Sequence, residues 1–378
     1  MKPLSIRRAL IRHALLALCS TACLAQPAAA QIVVGQTAGF TGPVEASVKE
    51  LTAGAELWID AVNQRGGVLG QKIALVKLDD RFDPKLAAAN ARTLIVERGA
   101  VALLLARGTP HNEAILPLLK EHGVAMVGPS TGAMLLHTPV NPFVFNVRAP
   151  YQRESEQIVL HLDTIGVERI AVLHVADSFG ADAVAGADRA FAKLKKKAVV
   201  RASYDRSKPD FAPLISRIVA ADAQAVLFVG TAAAVVEGTR QLRAADSRAQ
   251  VLTLSNNASA GFVEMMGPNA RGTVVSQVFP SERSMVVPLV TEARELVKAR
   301  GDVAVTPAML EGFAAAKVLV EGLKRAGPAP TRAKLIAALN GMQHYSVGGM
   351  ELGYSPSDHS GLDYVELSII GPDGRFAR

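Results

Sequence analysis

A chain of 378 residues, 49% hydrophobic and 20% charged, has the length for two domains of ordinary size and the apolar content for full cores. Aromatics at 5%, with Trp58 the sole tryptophan, exclude an extended stacking surface for single-stranded nucleic acid. The formal charge of +7 shrinks to +3 once residues 1–30 are set aside, since they hold four of the 41 basic and none of the 34 acidic residues; no polyanionic partner is implied.

Those first thirty residues read as an export signal. Arg7, Arg8 and Arg12 precede an apolar stretch from Ala14 to Ala25, and Ala28-Ala29-Ala30 supplies an A-x-A cleavage site before Gln31. The stretch is too short and interrupted to span a bilayer. Cys19 and Cys23 both fall within it, so the mature chain is expected to hold no disulfide, no thiolate nucleophile and no cysteine metal site. Ala22-Cys23 fits the end of a lipobox, but Ser20 stands where an aliphatic residue belongs, which favours cleavage near Ala30 over anchoring at Cys23. No later stretch is apolar and uncharged for the 18 or so residues a membrane helix needs, so a soluble protein is expected.

From Gln31 the chain alternates strand and helix. Ile32–Gly35 is a predicted strand, followed by a Thr41-Gly42-Pro43 loop and a helix from about Val48 to Gln64. Leu51, Ala55, Trp58, Ile59 and Val62 recur on one face of that helix at helical spacing, which makes Trp58 a core residue. In Arg65-Gly66-Gly67-Val68-Leu69-Gly70, Gly66 or Gly67 ends the helix; glycines that follow a helix instead of opening one do not make a phosphate loop. The turn after Ile32–Gly35 lacks G-x-G-x-x-G, which excludes a dinucleotide enzyme. Ile73–Leu78 is the next strand and ends in Asp79-Asp80, read as loop caps because no His or third acid stands at ligand spacing. A helix follows from Pro84 to Arg98. His111, His122 and His137 match no zinc spacing and read as surface or loop residues.

The stretch 102–132 organises the chain. Leu103–Ala106 and Val124–Val127 are apolar runs of the kind buried in parallel sheets. The loop after the first offers Thr109 as N-cap and Pro110 as the first residue of a helix; the loop after the second offers Ser130, Thr131 and Gly132 where another helix is expected. Two helix N-termini at the carboxyl ends of parallel strands form a binding edge suited to an anionic group such as a carboxylate. Gly128–Gly132 also matches the G-x-S-x-G nucleophile elbow, with Ser130 as nucleophile and Asp302 and then His344 or His359 in hydrolase order. Pro129 inside the elbow, the missing oxyanion loop and the absence of an antiparallel opening argue against that enzyme.

Arg148-Ala149-Pro150-Tyr151 breaks the rhythm after the extended Asn141–Val147, and a second series begins with a helix over Glu154–Gly166. Its strands are Ile170–Val175, Ala198–Tyr204, Ala225–Val229, Val251–Leu254 and Thr273–Val278; Lys195, Lys196 and Lys197 form a solvated helix end. The last third is helical over Met285–Arg300, Pro307–Ala326 and Thr331–Asn340, with late strands at Gly348–Tyr354 and Tyr364–Ile370. Two consecutive α/β series predict two similar lobes.

With these features in hand the chain resembles type I periplasmic solute-binding proteins, in particular the Leu/Ile/Val-binding-like proteins of ABC importers. The resemblance covers nearly all of 31–378. It rests on Thr41-Gly42-Pro43, on Ala61–Gly70, on Leu78-Asp79-Asp80 with Asp83-Pro84, on Gly123–Pro129 with Ser130-Thr131, on Asp210-Phe211 and on Ala225–Gly230. It implies an α/β fold of two Rossmann-like lobes with parallel central sheets joined by a three-strand hinge. The N-terminal lobe would be 31–149 plus 279–355 and the C-terminal lobe 150–278 plus 356–378. A small-molecule solute would sit in the interlobe cleft, the lobes would close on it, and an ABC permease in the inner membrane would read the closed form. The implied protein is a monomer in the periplasm, with no catalytic residue, no metal, no cofactor and no nucleic acid. The same lobes also serve an exported sensor that presents its solute to a receptor.

Carried over by position, the resemblance places Thr109 at the solute α-carboxylate, and Ser130 and Gly132, with Thr131 between them, in the loop that holds carboxylate and ammonium. It places Phe179, Thr231 and Ser255 among the contacts from the second lobe. Arg107, Tyr151 and Asn256 join this candidate set as a cation for the carboxylate, a cleft wall and a polar contact. Where the family has the acid that pairs with the ammonium, this chain has Ser255; Ser47 and Thr231 replace cleft aromatics. The family's disulfide cysteines fall at Phe82 and Gly108, so the bridge is lost as a unit. The expectation is a carboxylate without an α-amino group, with a branched-chain amino acid as the second choice.

Overall fold

The computed structural model describes residues 31–301 and 304–377. The expected signal segment with Cys19 and Cys23, and Asp302 of the hydrolase reading, lie outside the described residues.

The first half opens with β1 (Ile32–Ala38), α1 (Glu45–Gln64), β2 (Ile73–Asp79), α2 (Pro84–Arg92), β3 (Ala102–Leu104), α3 (Thr109–His122), β4 (Ala125–Val127) and β5 (Val144–Phe145). The five strands form an all-parallel sheet in the order β2-β1-β3-β4-β5. β3, β4 and β5 are buried along their whole length, as expected of short apolar runs covered by helices on both faces. The helix expected to reach Arg98 is α-helical only to Arg92 and continues as a π turn over Thr93–Glu97. Gly66, at φ +96°, lies just beyond the C-cap of α1, where a left-handed residue is needed.

The second series is α4 (Tyr151–Thr164), β6 (Ile170–Val175), α5 (Ser178–Leu194), β7 (Val200–Tyr204), α6 (Ala212–Ala220), β8 (Ala225–Val229), α7 (Ala232–Ala244), β9 (Gln250–Thr253), α8 (Ala260–Met266) and β10 (Val274–Gln277). Three helices follow, α9 (Pro288–Arg300), α10 (Pro307–Arg325) and α11 (Arg332–Asn340), then β11 (Tyr345–Ser346), β12 (Glu351–Leu352), β13 (Glu366–Ile370) and β14 (Phe376–Ala377). The second sheet runs β14-β13-β10-β9-β8-β6-β7; β13 joins β10 antiparallel and β14 joins β13 antiparallel, while the other pairs are parallel. β11 and β12 pair only with each other.

Two main cores result. One gathers β1, α1, α9, α10 and α11 around Leu51, Phe145, Phe313 and Leu319; the other gathers α4 to α8 and β6 to β10 around Leu173, Phe228 and Phe262. The chain passes from the first core to the second between Ala149 and Tyr151 and returns between Val275 and Val278. After 355 it still contributes Leu362 to the first core before Ile370 and Phe376 enter the second.

The first lobe depends on the crossing of α1 and α10, where Trp58 meets Phe313 edge-on at 5.5 Å. A Cβ built on Gly54 would lie 1.9 Å from the Met309 carbonyl oxygen, and one on Gly312 would lie 1.8 Å from that of Leu51. Both obstacles are backbone, so neither can turn aside. Gly312→Ala is therefore expected to cost about 1–3 kcal/mol, read as a lower midpoint in urea or thermal unfolding despite alanine's better helix propensity.

Candidate functional site

The carboxyl end of β3 runs into α3 through Leu105, Ala106, Arg107 and Gly108. Gly108 has φ +95°, and a Cβ there would meet His111 Nδ1 at 2.6 Å and Phe82 Cε2 at 2.9 Å. Phe82 and Gly108 thus complement each other as ring and gap. Phe82 also stacks on His111 at 4.2 Å.

The loop after β4 departs from expectation. No helix begins at Ser130–Gly132; Ser130 bridges Arg107 in parallel, its N–H donating to Ala106 O at 2.9 Å and its carbonyl accepting from Gly108 N at 3.4 Å. These bonds hold the loop extended, and only a 3-10 turn at Met134–Leu136 follows. Thr109 is not an N-cap. Gly108 holds that position, and the Thr109 hydroxyl hydrogen-bonds Thr131 Oγ1 at 2.7 Å instead. The binding edge therefore carries one helix N-terminus, not two.

Arg107 is buried, 5% exposed, and donates from Nη1 to Ser130 Oγ at 2.8 Å and from Nη2 to Asn256 O of the second lobe at 2.8 Å, with Ser47 Oγ at 3.4 Å. All three acceptors are neutral, and no carboxylate lies within ion-pair distance of it among the described residues. Ser130 Oγ passes a hydrogen bond on to Glu311 Oε1 at 2.8 Å. Behind Arg107, at the passage between lobes, Arg148 is 1% exposed and Glu154 is 0% exposed. Arg148 pairs with Glu154 and donates to Ser255 Oγ at 2.7 Å; Glu154 Oε2 accepts from Ser276 Oγ at 2.5 Å and from Ser255 N at 2.9 Å. Arg148 Nη1 stands 3.9 Å from Glu311 Oε2 and makes no hydrogen bond. Burial pushes the Glu154 carboxyl above the usual carboxylate range, against the pull of Arg148 and the serine donors. Burial also opposes the charge on Arg148, but Glu154, Tyr151 and Glu311 outweigh it and hold the guanidinium protonated.

Arg107, Thr109, Tyr151, Phe179, Thr231 and Asn256 line one cavity between the lobes, of about 20 Å³. That is room for about a single water, so the lobes are drawn together here. Phe82 and Arg206 close one side: the Arg206 guanidinium, held by Asp177, lies over the Phe82 ring at 5.2 Å and so bridges the lobes. Tyr151 packs on Phe179 at 4.8 Å under the Arg148 guanidinium. The remaining expected residues stand one layer back. Ser130 and Thr131 support Arg107 and Thr109, Ser255 supports Arg148, and Gly132 accepts from Tyr151 N at 2.7 Å where the chain changes lobe.

Sequence reasoning missed Arg148, Glu154, Arg206 and Glu311. Glu311 left one trace, a lone acid at the start of the apolar run of α10. Two histidine readings are corrected: His111 and His137 are buried, and burial pushes each down to about 4, so both are neutral at ordinary pH. His122 is half-buried at the end of α3. Asp79 and Asp80 do cap their loop, accepting from Thr41, Arg81, Thr37 and Phe82, and Asp80 is pushed up to about 6 by burial. Ser130 has no histidine partner: His359 bonds the Val144 and Asn141 carbonyls and Asn340, and His344 bonds Glu351 on the surface. Among the described residues no cluster of metal-ligating side chains occurs, and no helix is long and apolar enough to cross a membrane.

Residues 31–367 match the family model described as periplasmic binding protein. The Leu/Ile/Val-binding protein homolog 3 of Brucella melitensis is 28% identical over 332 residues, which cover 86% of this chain and 87% of that protein. The crystal structure of a substrate-binding periplasmic protein from Ralstonia solanacearum is 34% identical with a TM-score of 0.84, covering 92% of this chain and 99% of its own. That of an extracellular ligand-binding receptor from Verminephrobacter eiseniae is 30% identical with a TM-score of 0.82, covering 92% and 100%.

Proposed function

The chain belongs to the periplasmic binding protein family, and from that premise we propose that it captures a small carboxylate lacking an α-amino group for an ABC importer of the inner membrane. Its relatives are binding proteins, and it is a binding protein, not an enzyme. The observation that carries the solute class is Arg107, a buried cation on the cavity wall whose partners are all neutral oxygens. A buried guanidinium without a counter-ion is costly, and a carboxylate is the group that satisfies its fork. At Ser255 the hydroxyl is held by Arg148 and the N–H by Glu154, which already pair with each other, so no unpaired carboxylate is left there to receive an ammonium. Tyr151, Phe179 and Phe82 give the solute's body an aromatic wall. The arginine-rich start, Ala28–Ala30 and the family together support delivery to the periplasm.

Glu311 favours a second reading. One of its oxygens accepts from Ser130, and the other is 3.9 Å from Arg148, which leaves it free to receive an ammonium near Arg107. An amino acid would then span Arg107 and Glu311. Thermal unfolding of residues 31–378 against aromatic and aliphatic monocarboxylates, leucine and valine separates the two. The carboxylates are expected to raise the midpoint in step with the logarithm of concentration, and the amino acids are not. Stabilisation by leucine that Glu311→Gln removes would give the amino-acid reading. Uptake of the stabilising acid into spheroplasts, restored by added protein and dependent on ATP, distinguishes an importer's component from a sensor.

A further inference from the structure

A second contact joins the lobes outside the cavity. Glu50, on α1 of the first lobe, reaches the backbone of the second: its Oε2 accepts from Ala260 N at 3.1 Å and its Oε1 from Gly261 N at 2.9 Å. Beside it a Cβ built on Gly261 would lie 2.4 Å from Ala46 Cβ. The other atoms nearest to that position, Ala46 Cα and Glu50 Oε1, each at 3.6 Å, also belong to the first lobe. Gly261 sits within α8 and does not have a positive φ, so its own helix would accept alanine and gain from it. The absence of a side chain at 261 therefore serves the meeting of the lobes and not the folding of the second one. None of Ala46, Glu50 and Gly261 lines the cavity.

We propose that Glu50, Ala46 and Gly261 form a latch that holds the lobes closed from outside the cavity, and that Glu50 is a positioning residue for solute binding. When the lobes part, the carboxylate and the two N–H groups return to water, so the latch contributes a small bias while the side-chain-free contact decides whether closure is sterically allowed. Solute affinity then depends on residues that never touch the solute, because these three bias the closure of the lobes that follows solute entry.

The test uses residues 31–378, which contain no cysteine, without any solute, so its outcome is independent of the carboxylate reading. Spin labels at Lys85→Cys and Lys208→Cys, both exposed, stand three residues from Phe82 and two from Arg206 at the cavity wall. Double electron–electron resonance then reads the separation of the lobes. Gly261→Ala is expected to move the distribution to longer distance with an unfolding midpoint at or above that of the parent. Ala46→Gly added to it is expected to restore the short distance, and Glu50→Gln alone to lower the closed-to-open ratio roughly fivefold. The latch is overturned if Gly261→Ala leaves the distances unchanged, if Ala46→Gly fails to restore them, or if the parent is already at the long distance. Should Gly261→Ala not fold, an unchanged distribution in Glu50→Gln overturns it.

Discussion

Arg107→Met is expected to weaken binding of the carboxylate solute by roughly 100-fold while leaving the unfolding midpoint of the solute-free protein unchanged or higher. The two halves of this result have one cause. In the absence of solute the guanidinium is buried at 5% exposure among neutral acceptors, Ser130 Oγ, Asn256 O and Ser47 Oγ, so its desolvation is offset only in part. On the proposed reading a solute carboxylate completes the compensation, and removing the cation would leave that carboxylate buried with hydroxyls alone. Arg107→Lys is expected to recover only part of the affinity, since an ammonium reproduces the charge but not the two parallel donors. Isothermal titration with the acid that most raises the midpoint reads both variants. An undiminished affinity in Arg107→Met would move the carboxylate to another part of the cleft.

The largest loss of stability is expected from Arg148→Met, about 3–5 kcal/mol in urea unfolding at neutral pH. The substitution strands Glu154, which is fully buried and whose remaining donors are Ser276 Oγ and Ser255 N. Burial already raises this carboxyl above its ordinary value, and loss of Arg148 raises it further. An acid whose folded-state pKa lies above its unfolded value binds its proton more readily in the folded protein. Its effect on stability is least harmful at low pH and grows as pH rises through the folded value. The deficit of Arg148→Met is therefore expected to narrow as the pH falls toward the unfolded carboxyl range. Arg148→Met with Glu154→Gln is expected to be less destabilised than Arg148→Met alone, because no charge is then left without a partner. A double variant no better than the single one would show that the arginine acts through packing on Tyr151, 4.5 Å from its guanidinium, and not through charge.

Much of this molecule was legible because its signals are local. The apolar runs at Ile170–Val175 and Ala225–Val229 are strands with those bounds, and the face carrying Leu51, Ala55 and Trp58 is the face that α1 buries. Runs of one period and one polarity have few alternatives once a core is available. Boundaries slipped where the tertiary structure supplied the missing partner. α1 begins at Glu45, ahead of its apolar stripe, and the helix expected at Ser130–Gly132 never starts because Ala106 and Gly108 claim that backbone.

The sequence by itself determined two α/β lobes, a family and a polar edge at 107–132, since each of these is written in neighbouring residues or in fixed spacing. Only the tertiary structure decided which charges meet. Arg148 and Glu154 pair across the lobe passage, Glu311 comes to Ser130 from 181 positions away, Arg107 reaches Asn256 and Glu50 reaches Gly261. Ion pairs and cavities are set by distance in space, and a guanidinium or carboxylate carries the same letter in the sequence whether it faces water or the closed interior of a cleft.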